Sequence, residues 1–306
     1  MNTTQTKKQE QAALLEVTAS EKPKRDSMEN LLELIGESAP YVEVYDVTVD
    51  NGVVHSKFRP EQQRYAETTL MSCSEGLRTM AVHGVLACAA ANPARSKHYY
   101  LATRADIQVF PVHATTANSF RCVGRVNRID QSKRFPLYTV TVTCFTEGGE
   151  RYAVTEVECI GLNEEQFVKL KGADAAPAVA LVPGQHSPYV DPVRPMRIDW
   201  TQPGEALRTT LDGFRHEDFA GHFAIRAMCP VSILGGNAFS LLRHFPGFDA
   251  YQITRCVLTC DRASLPGEPL HLSCVRERAD HFVVTAHNSK GKLLSTFHID
   301  ARAHRL

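Results

Sequence analysis

The segment 76–93, GLRTMAVHGVLACAAANP, constrains the fold most, because its apolar residues recur with a helical period. The main apolar stripe comprises Leu77, Met80, Ala81, Gly84, Val85 and Cys88. The opposite face is also largely apolar from Val82 onward. A helix that is apolar nearly all round has to be surrounded by other parts of the protein. We therefore predict one long central helix that starts at Ser74 and ends at Asn92-Pro93.

The segments around this helix alternate between apolar and polar residues, as strands of a half-buried sheet do. Two alternating runs within 41–58 meet at Asn51-Gly52, the strongest short-range signal for a β-hairpin. A short amphipathic helix precedes them, with Ser27 as its N-cap and Gly36 at its end. Four further runs follow the long helix, at 98–112, 119–130, 135–147 and 150–160. The first half therefore predicts an α+β fold in which an antiparallel sheet covers one buried helix.

The second half of the chain repeats this order of elements. A strand at 206–214 and an apolar helix at 231–245 precede four alternating runs at 250–263, 269–280, 281–288 and 292–301. The segments HYYLATRADI and AYQITRCVLT are similar between the halves, so we infer an internal duplication of roughly 130 residues. The predicted organisation is a disordered tail at 1–26, repeat 1 at 27–172, a linker rich in Ala, Pro and Gly at 173–195, and repeat 2 at 196–306.

Composition narrows the partners and the compartment. The 34 basic and 34 acidic residues balance, which gives no electrostatic reason to expect nucleic acid or an anionic membrane as partner. The nine cysteines form no CxxC pair and lie mostly in apolar runs, which is typical of reduced thiols and argues against disulfides and zinc. The N-terminus lacks a signal-peptide core, and the chain has no run of about 18 apolar residues, so we expect a cytoplasmic protein.

Two segments carry a resemblance to a known family. MENLLELIGESAPYVEVYDVTVDNG, at 28–52, is similar to the opening of the β-hydroxyacyl-thioester dehydratases. AGHFAIRAMCP, at 220–230, resembles their active-site loop, in which Gly-His-Phe is followed by a proline eight residues after the histidine. The loop departs from that family at Ala224-Ile225, where the family has Pro-Gly, and at Val231, where it has glycine. The resemblance implies two tandem hot-dog repeats, each an antiparallel sheet wrapped around a central helix, which together form a double hot-dog.

The resemblance also implies a catalytic pair. In the family the loop histidine works with a Glu or Asp 14 residues further on, but that position is Gly236 here. Since the family combines the histidine of one hot-dog with the acid of the other, we predict a composite site of His222 and Glu75. Backbone N–H groups around 229–232 would polarise the thioester carbonyl. The residues expected to bind the substrate are Gly221, Phe223, Cys229, Pro230, Val231 and His216.

Some of these residues also have a purely structural interpretation. Glu75 completes the motif Ser72-x-x-Glu75, which is the sequence of a helix capping box. A lone loop histidine such as His222 often bonds only to backbone. The RHFPGF segment at 243–248 contains a closer literal match to His-Phe-Pro-Gly than the loop does. It follows the second helix instead of preceding it, so we interpret it as a helix-ending turn.

These residues favour a dehydratase that removes water from a 3-hydroxyacyl thioester in fatty-acid-like or polyketide biosynthesis. That reaction needs a base at the α-carbon and an acid at the β-hydroxyl, which a His/Glu pair supplies near neutral pH. The resemblance implies an acyl carrier protein or CoA as carrier, a phosphopantetheine arm that arrives with the substrate, and neither metal nor other cofactor. The alternatives are a thioesterase on the same fold and a non-catalytic acyl-binding or scaffold protein. Both a monomer and a homodimer are compatible with a double hot-dog.

Overall fold

Each half of the chain wraps a sheet around one apolar helix. The computed structural model describes residues 28–114, 116–171, 181, 185–223 and 225–304. The tail predicted at 1–26, the N-cap predicted at Ser27 and part of the linker predicted at 173–195 lie outside these residues. The two repeats can therefore be followed almost throughout.

Repeat 1 contains the elements that its alternating and helical patterns predict. Its hairpin turns at Asn51 and Gly52, whose φ angles of 49° and 75° are the left-handed values that a two-residue turn between twisted strands requires. The elements are α1 (Met28–Glu33), β1 (Tyr45–Asp50), β2 (Val53–Phe58), α2 (Cys73–Ala91), β3 (Tyr99–Val109), β4 (Phe120–Asp130), β5 (Leu137–Thr146), β6 (Arg151–Leu162) and α3 (Glu164–Lys171).

Repeat 2 follows the same order with a shorter central helix. The α-helix α4 (Val231–Ser240) continues directly into a 3₁₀ turn at Leu241–His244, and another 3₁₀ turn at His216–Phe219 precedes the Gly-His-Phe loop. The strands are β7 (Arg197–Gln202), β8 (Ala206–Leu211), β9 (Tyr251–Cys260), β10 (Leu270–Arg278), β11 (His281–Asn288) and β12 (Leu293–Ala303).

The twelve strands in the described part of the chain form one sheet, whose order shows the duplication directly. The order is β1-β2-β4-β5-β6-β3-β9-β12-β11-β10-β8-β7, so the second six strands mirror the first six. The halves meet where β3 pairs antiparallel with β9, in a register that sets Asp106 opposite Val257. Arg255 reinforces this junction with two hydrogen bonds to the Asp106 carboxylate, at 3.0 and 2.7 Å. One continuous sheet therefore joins the repeats.

The helix α2 lies in the core, as its apolar pattern predicts. Ala81, Ala90 and Ala91 are partly exposed, and every other residue of the helix is buried. The helix α4 crosses it closely: a Cβ atom on Gly236 would lie 3.2 Å from the Ser74 hydroxyl oxygen. The two central helices therefore contact each other between the halves of the sheet.

Three details differ from the sequence-based expectations. The helix α1 ends at Glu33, three residues before Gly36. The strand β7 was not predicted, because it is an edge strand whose side chains are mostly exposed and carry little alternation. The helix α3 was not predicted either, since its sequence EEQFVKLK is polar and, among residues 164–170, only Phe167 is buried. Among the described residues, no helix combines the length and apolar character needed to cross a membrane.

Candidate active site

A cavity of about 670 Å³ lies between the two repeats and contains His222. Repeat 1 contributes the loop after α1, the middle of α2 and the start of β3. Repeat 2 contributes the Gly-His-Phe loop, the start of α4, the segment after β9 and the turn between β11 and β12. Residues that line its interior from the two sides include Glu37, Tyr41, Ala81, Val85, Tyr100, His222, Phe223, Met228, Cys229, Val231 and Leu234. The site is therefore composite, built by both halves of the chain.

The imidazole of His222 is oriented by one backbone contact. Its Nδ1 atom lies 2.9 Å from the Met228 carbonyl oxygen. A carbonyl only accepts, so Nδ1 carries the proton and Nε2 is left as the basic nitrogen. Burial lowers the pKa of His222 to about 4, although the bond to Met228 acts in the opposite direction. The imidazole is therefore neutral at pH 7, with Nε2 unprotonated.

The backbone around His222 is fixed by the loop after α1. Gly221 has φ +79°, and a Cβ atom there would lie 2.3 Å from the Ser38 carbonyl oxygen, so only glycine fits this position. The Ser38 N–H donates a 2.8 Å hydrogen bond to the Gly221 carbonyl oxygen. On the preceding residue, the Ala220 carbonyl oxygen accepts a 2.8 Å bond from the Tyr189 hydroxyl. These contacts explain why a glycine precedes the histidine.

Aromatic rings hold the imidazole and the next residue in place. The His222 ring lies 4.6 Å from the Tyr41 ring and 4.1 Å from the Phe223 ring, centroid to centroid. Phe223 belongs to a second apolar cluster, separate from the main core, in which α3 packs against the loop through Phe167. The cluster consists of Tyr99, Leu162, Phe167, Phe223 and Met228. The unpredicted helix α3 therefore helps to position the loop.

The N-terminus of α4 provides hydrogen-bond donors close to His222. Pro230 is the N-cap, and no side chain caps this end of the helix. The Cys229 N–H donates to the Ser264 carbonyl oxygen at 3.0 Å, which removes it from the predicted set of carbonyl-polarising donors. Among the described residues, the N–H groups of Val231 and Ser232 have no backbone acceptor. These two groups, at the positive end of the helix dipole, can stabilise an oxyanion.

Glu75 is buried in an ion-pair cluster. One carboxylate oxygen accepts a 2.9 Å hydrogen bond from Arg78, whose guanidinium also pairs with Glu61 at 2.7 Å. Burial raises the pKa of Glu75, and the charge of Arg78 opposes that shift. Its backbone N–H donates to the Ser72 hydroxyl at 3.2 Å, as in the first half of a capping box. Glu75 is not among the residues that line the cavity, so its predicted pairing with His222 stays a prediction.

The other predicted residues divide into two groups. Phe223, Cys229 and Val231 line the cavity. Gly221, Pro230 and His216 do not, although Gly221 and Pro230 shape the loop and the start of α4. The RHFPGF segment is a helix-ending turn, as predicted, with Gly247 at φ +83° just after the 3₁₀ turn that extends α4.

Sequence reasoning missed Glu37 and Tyr41, which both line the cavity. The Glu37 carboxyl is buried, and its Oε2 atom has no hydrogen-bond partner among the described residues. Burial raises the pKa of Glu37 to about 8, outweighing the N–H groups of Glu37 and Gly36 and the charge of Lys97. An acidic residue between the apolar residues of α1 and β1 was the signal that could have identified it.

The mouth of the cavity is rich in positive charge. Arg226, Arg262, Lys290 and Lys292 contribute to its wall, against the acidic residues Asp261 and Glu268. Arg262 and both lysines are exposed to solvent. Within the described part of the chain, no group of three or more His, Cys, Asp or Glu side chains is arranged to hold a metal ion. The site therefore combines a buried histidine and carboxyl group with a cationic opening.

Solved structures similar to this chain are hot-dog enzymes. An acyl-ACP thioesterase from Bacteroides thetaiotaomicron has a TM-score of 0.53 and 14% identity, covering 82% of this chain and 98% of that protein. An acyl-CoA thioesterase II from Mycobacterium marinum has a TM-score of 0.50 and 8% identity, covering 87% of this chain and 96% of that protein. A MaoC-like dehydratase from Phytophthora capsici has a TM-score of 0.44 and 10% identity, covering 70% of this chain and 74% of that protein. With the mirrored strand order, the two thioesterase likenesses confirm the predicted double hot-dog fold.

Sequence comparison adds nothing further, because no protein-family model and no curated protein matches this chain.

Proposed function

We propose that the protein is a dehydratase that removes water from a 3-hydroxyacyl thioester. The observation that carries this proposal is the His222 imidazole, which is buried in the inter-repeat cavity with Nδ1 bound to the Met228 carbonyl and Nε2 left basic. A neutral imidazole is the group needed to take a proton from the α-carbon of an acyl thioester at neutral pH. The match of its loop to the dehydratase motif supports the same reaction.

The start of α4 supplies the second requirement of this chemistry. Removing the α-proton places negative charge on the thioester oxygen, and that charge needs fixed donors in a water-poor site. The N–H groups of Val231 and Ser232 are suited to this task. The third requirement is an acid at the β-hydroxyl group, for which the sequence predicts Glu75. In the structure, the Glu75 carboxylate is bonded to Arg78.

The cavity suits an acyl chain on a phosphorylated carrier. Its interior is lined mainly by apolar and aromatic side chains such as Val85, Phe223 and Leu234, which favour an acyl group. The cations at its mouth favour the phosphate of a phosphopantetheine arm, whether the arm belongs to an acyl carrier protein or to CoA. This supports a place in fatty-acid-like or polyketide biosynthesis, and the free thiols of all nine cysteines are compatible with a cytoplasmic location.

Thioester hydrolysis is the second candidate. It is favoured by the likeness to an acyl-ACP thioesterase and an acyl-CoA thioesterase. In that reaction His222 would activate or position a water molecule, and the donors of α4 would stabilise the tetrahedral oxyanion. The two reactions therefore use the same residues and differ in the bond that breaks.

Mass spectrometry of the acyl group separates these reactions. The protein is incubated with 3-hydroxyacyl and saturated acyl thioesters of both CoA and acyl carrier protein. Loss of one water from the 3-hydroxyacyl thioester supports dehydration, release of free acid supports hydrolysis, and binding without turnover supports an acyl-binding role. The variant His222→Ala should abolish turnover. A control is His83→Gln, because His83 is also a buried histidine but lies outside the cavity, bonded to Ser56 and Thr79.

A further inference from the structure

We propose that Glu37 is the catalytic acid that works with His222, donating its proton to the β-hydroxyl group of the substrate. This inference rests on the proposed dehydratase function and deepens it, because it assigns the acid to a residue in the 28–52 segment, to which the resemblance assigned no catalytic role. It places the acid in the loop between α1 and β1, in repeat 1, opposite the histidine of repeat 2.

The backbone brings the two residues to one place. Ser38, the next residue after Glu37, donates its N–H to the carbonyl oxygen of Gly221, the residue before His222. On the other side of Glu37, Gly36 packs on the Tyr99 ring so closely that a Cβ atom would lie 2.3 Å from it. The side chains of both Glu37 and His222 line the same cavity. The loop around Glu37 is therefore held against the histidine loop, and both residues belong to the wall of one cavity.

The environment of Glu37 is that of an acid kept in its protonated form. The side chain is buried, and Oε2 has no hydrogen-bond partner among the described residues, so its hydrogen-bonding capacity is unused in the free protein. Burial raises the pKa to about 8, so the group carries its proton at pH 7. The ionisable groups whose charges interact with it are Lys97, Tyr41, Cys88, Tyr99 and Tyr100. Of these, only Lys97 favours the anionic form.

Glu75 is also a buried carboxyl group with a raised pKa, and its Oε2 atom too has no hydrogen-bond partner among the described residues, but it has a charged partner. Its carboxylate accepts a hydrogen bond from the guanidinium of Arg78. The guanidinium favours the ionised form of Glu75, although burial outweighs it and raises the pKa. Because Glu75 also does not line the cavity, Glu37 is the better placed of the two for the acid step.

The proposed step balances as follows. His222 Nε2 takes the α-proton, and the electron pair of that C–H bond forms the new Cα=Cβ double bond. The Cβ–O bond breaks, and the Glu37 proton goes to the leaving hydroxyl group, which departs as water. The step leaves an imidazolium and a carboxylate. Proton transfer from His222 to Glu37 through solvent restores the starting forms.

Three isosteric variants test this assignment in the full chain: Glu37→Gln, Glu75→Gln and Glu67→Gln. Glu67 is the matched control, because it is a buried carboxyl group whose pKa burial also raises to about 8, yet it binds the Cys73 N–H and lies outside the cavity. We expect Glu37→Gln to lower kcat for dehydration of a 3-hydroxyacyl-CoA by about 10²–10⁴-fold, the usual contribution of a general acid, with little change in KM. Glu67→Gln should keep the wild-type kcat.

The pH profile gives a second readout that a structural role would not move. In the wild type, kcat/KM should fall as Glu37 ionises near pH 8, and the residual rate of Glu37→Gln should lack this decline. If Glu37→Gln does not fold, Glu37→Asp replaces it: this variant retains an acid, so it should keep partial activity and an alkaline decline.

The possible outcomes separate this inference from the proposed function. If the wild type dehydrates the substrate but Glu37→Gln keeps its kcat, or if the loss occurs only in Glu75→Gln, then Glu37 is not the acid and the dehydratase function stands. A wild-type profile without an alkaline decline near pH 8 also overturns the assignment. If the wild type does not dehydrate 3-hydroxyacyl thioesters, both proposals fail.

Discussion

The phenol ring of Tyr41 lies against the imidazole ring of His222, with 4.6 Å between their centroids. The same phenol ring has an edge contact with Tyr189 at 5.5 Å, so it fills the space between the histidine and the segment before β7. Tyr41→Ala should lower the free energy of unfolding by about 3–5 kcal/mol, the usual cost of removing a buried aromatic ring. Tyr41→Phe keeps the ring contacts and should be much less destabilised. Urea denaturation of the two variants measures the difference, and equal losses would contradict this account.

Gly221 should tolerate no side chain. Gly221→Ala combines a left-handed φ of +79° with a contact of 2.3 Å to the Ser38 carbonyl oxygen, so the loop carrying His222 has to move. Gly52→Ala is the matched control, since Gly52 has φ +75° but nothing within 4 Å of the added carbon. We expect Gly52→Ala to lower the free energy of unfolding by about 1–2 kcal/mol and to keep full activity. Gly221→Ala should lower the free energy of unfolding by more than this, and the variant should lose turnover. Denaturation and steady-state kinetics measure both effects, and similar behaviour of the two variants would refute the steric argument.

The buried pair of Arg78 and Glu75 should be strongly coupled. Arg78→Met leaves the Glu75 carboxylate buried without its partner, which typically costs about 3–5 kcal/mol. The double variant Arg78→Met, Glu75→Leu removes both charges and should recover much of that loss, because Glu61 is partly exposed and can be hydrated. A double-mutant cycle by chemical denaturation gives the coupling energy. Additive single-variant effects would show that the pair is not coupled.

Acid should destabilise the folded chain through two histidines. Burial lowers the pKa of both His222 and His83 to about 4, below the usual value of 6.5. Between these pH values the unfolded chain binds protons that the folded protein excludes, so the free energy of unfolding falls as the pH falls from 6.5 to 4. Each histidine accounts for at most about 3 kcal/mol of this fall in the free energy of unfolding. The variant His222→Gln should show a shallower loss of stability over this range. Parallel curves for the variant and the wild type would argue against a buried neutral His222.

Much of the fold can be predicted from local sequence patterns. The helix α2 is buried nearly all round, as its apolar faces require, and Asn51-Gly52 forms the predicted hairpin turn. The duplication was visible because equivalent strands such as β3 and β9 retain similar sequences. The edge strand β7 and the polar helix α3 were missed, since each packs too few apolar residues to produce a clear period.

The site was only partly predictable, for a physical reason. His222 and the start of α4 are close in sequence, so a short motif reports both. Glu37 lies in the other repeat, and although it falls within the 28–52 segment, no feature of that segment marks it as a site residue; it stands out only by its burial and its place in the cavity lining. Those properties arise only when the two halves of the sheet come together. Glu75 shows the converse, since a motif placed an acid at the head of α2 but could not show that Arg78 binds it.

The pairing of β3 with β9 has a consequence for how this protein responds to dilution. When separate chains supply the two halves of such a site, the site dissociates with its subunits and its population depends on protein concentration. Here both halves belong to one chain, so their association is an intramolecular step with a fixed effective concentration. The melting temperature and the specific activity should therefore be the same at nanomolar and at micromolar protein.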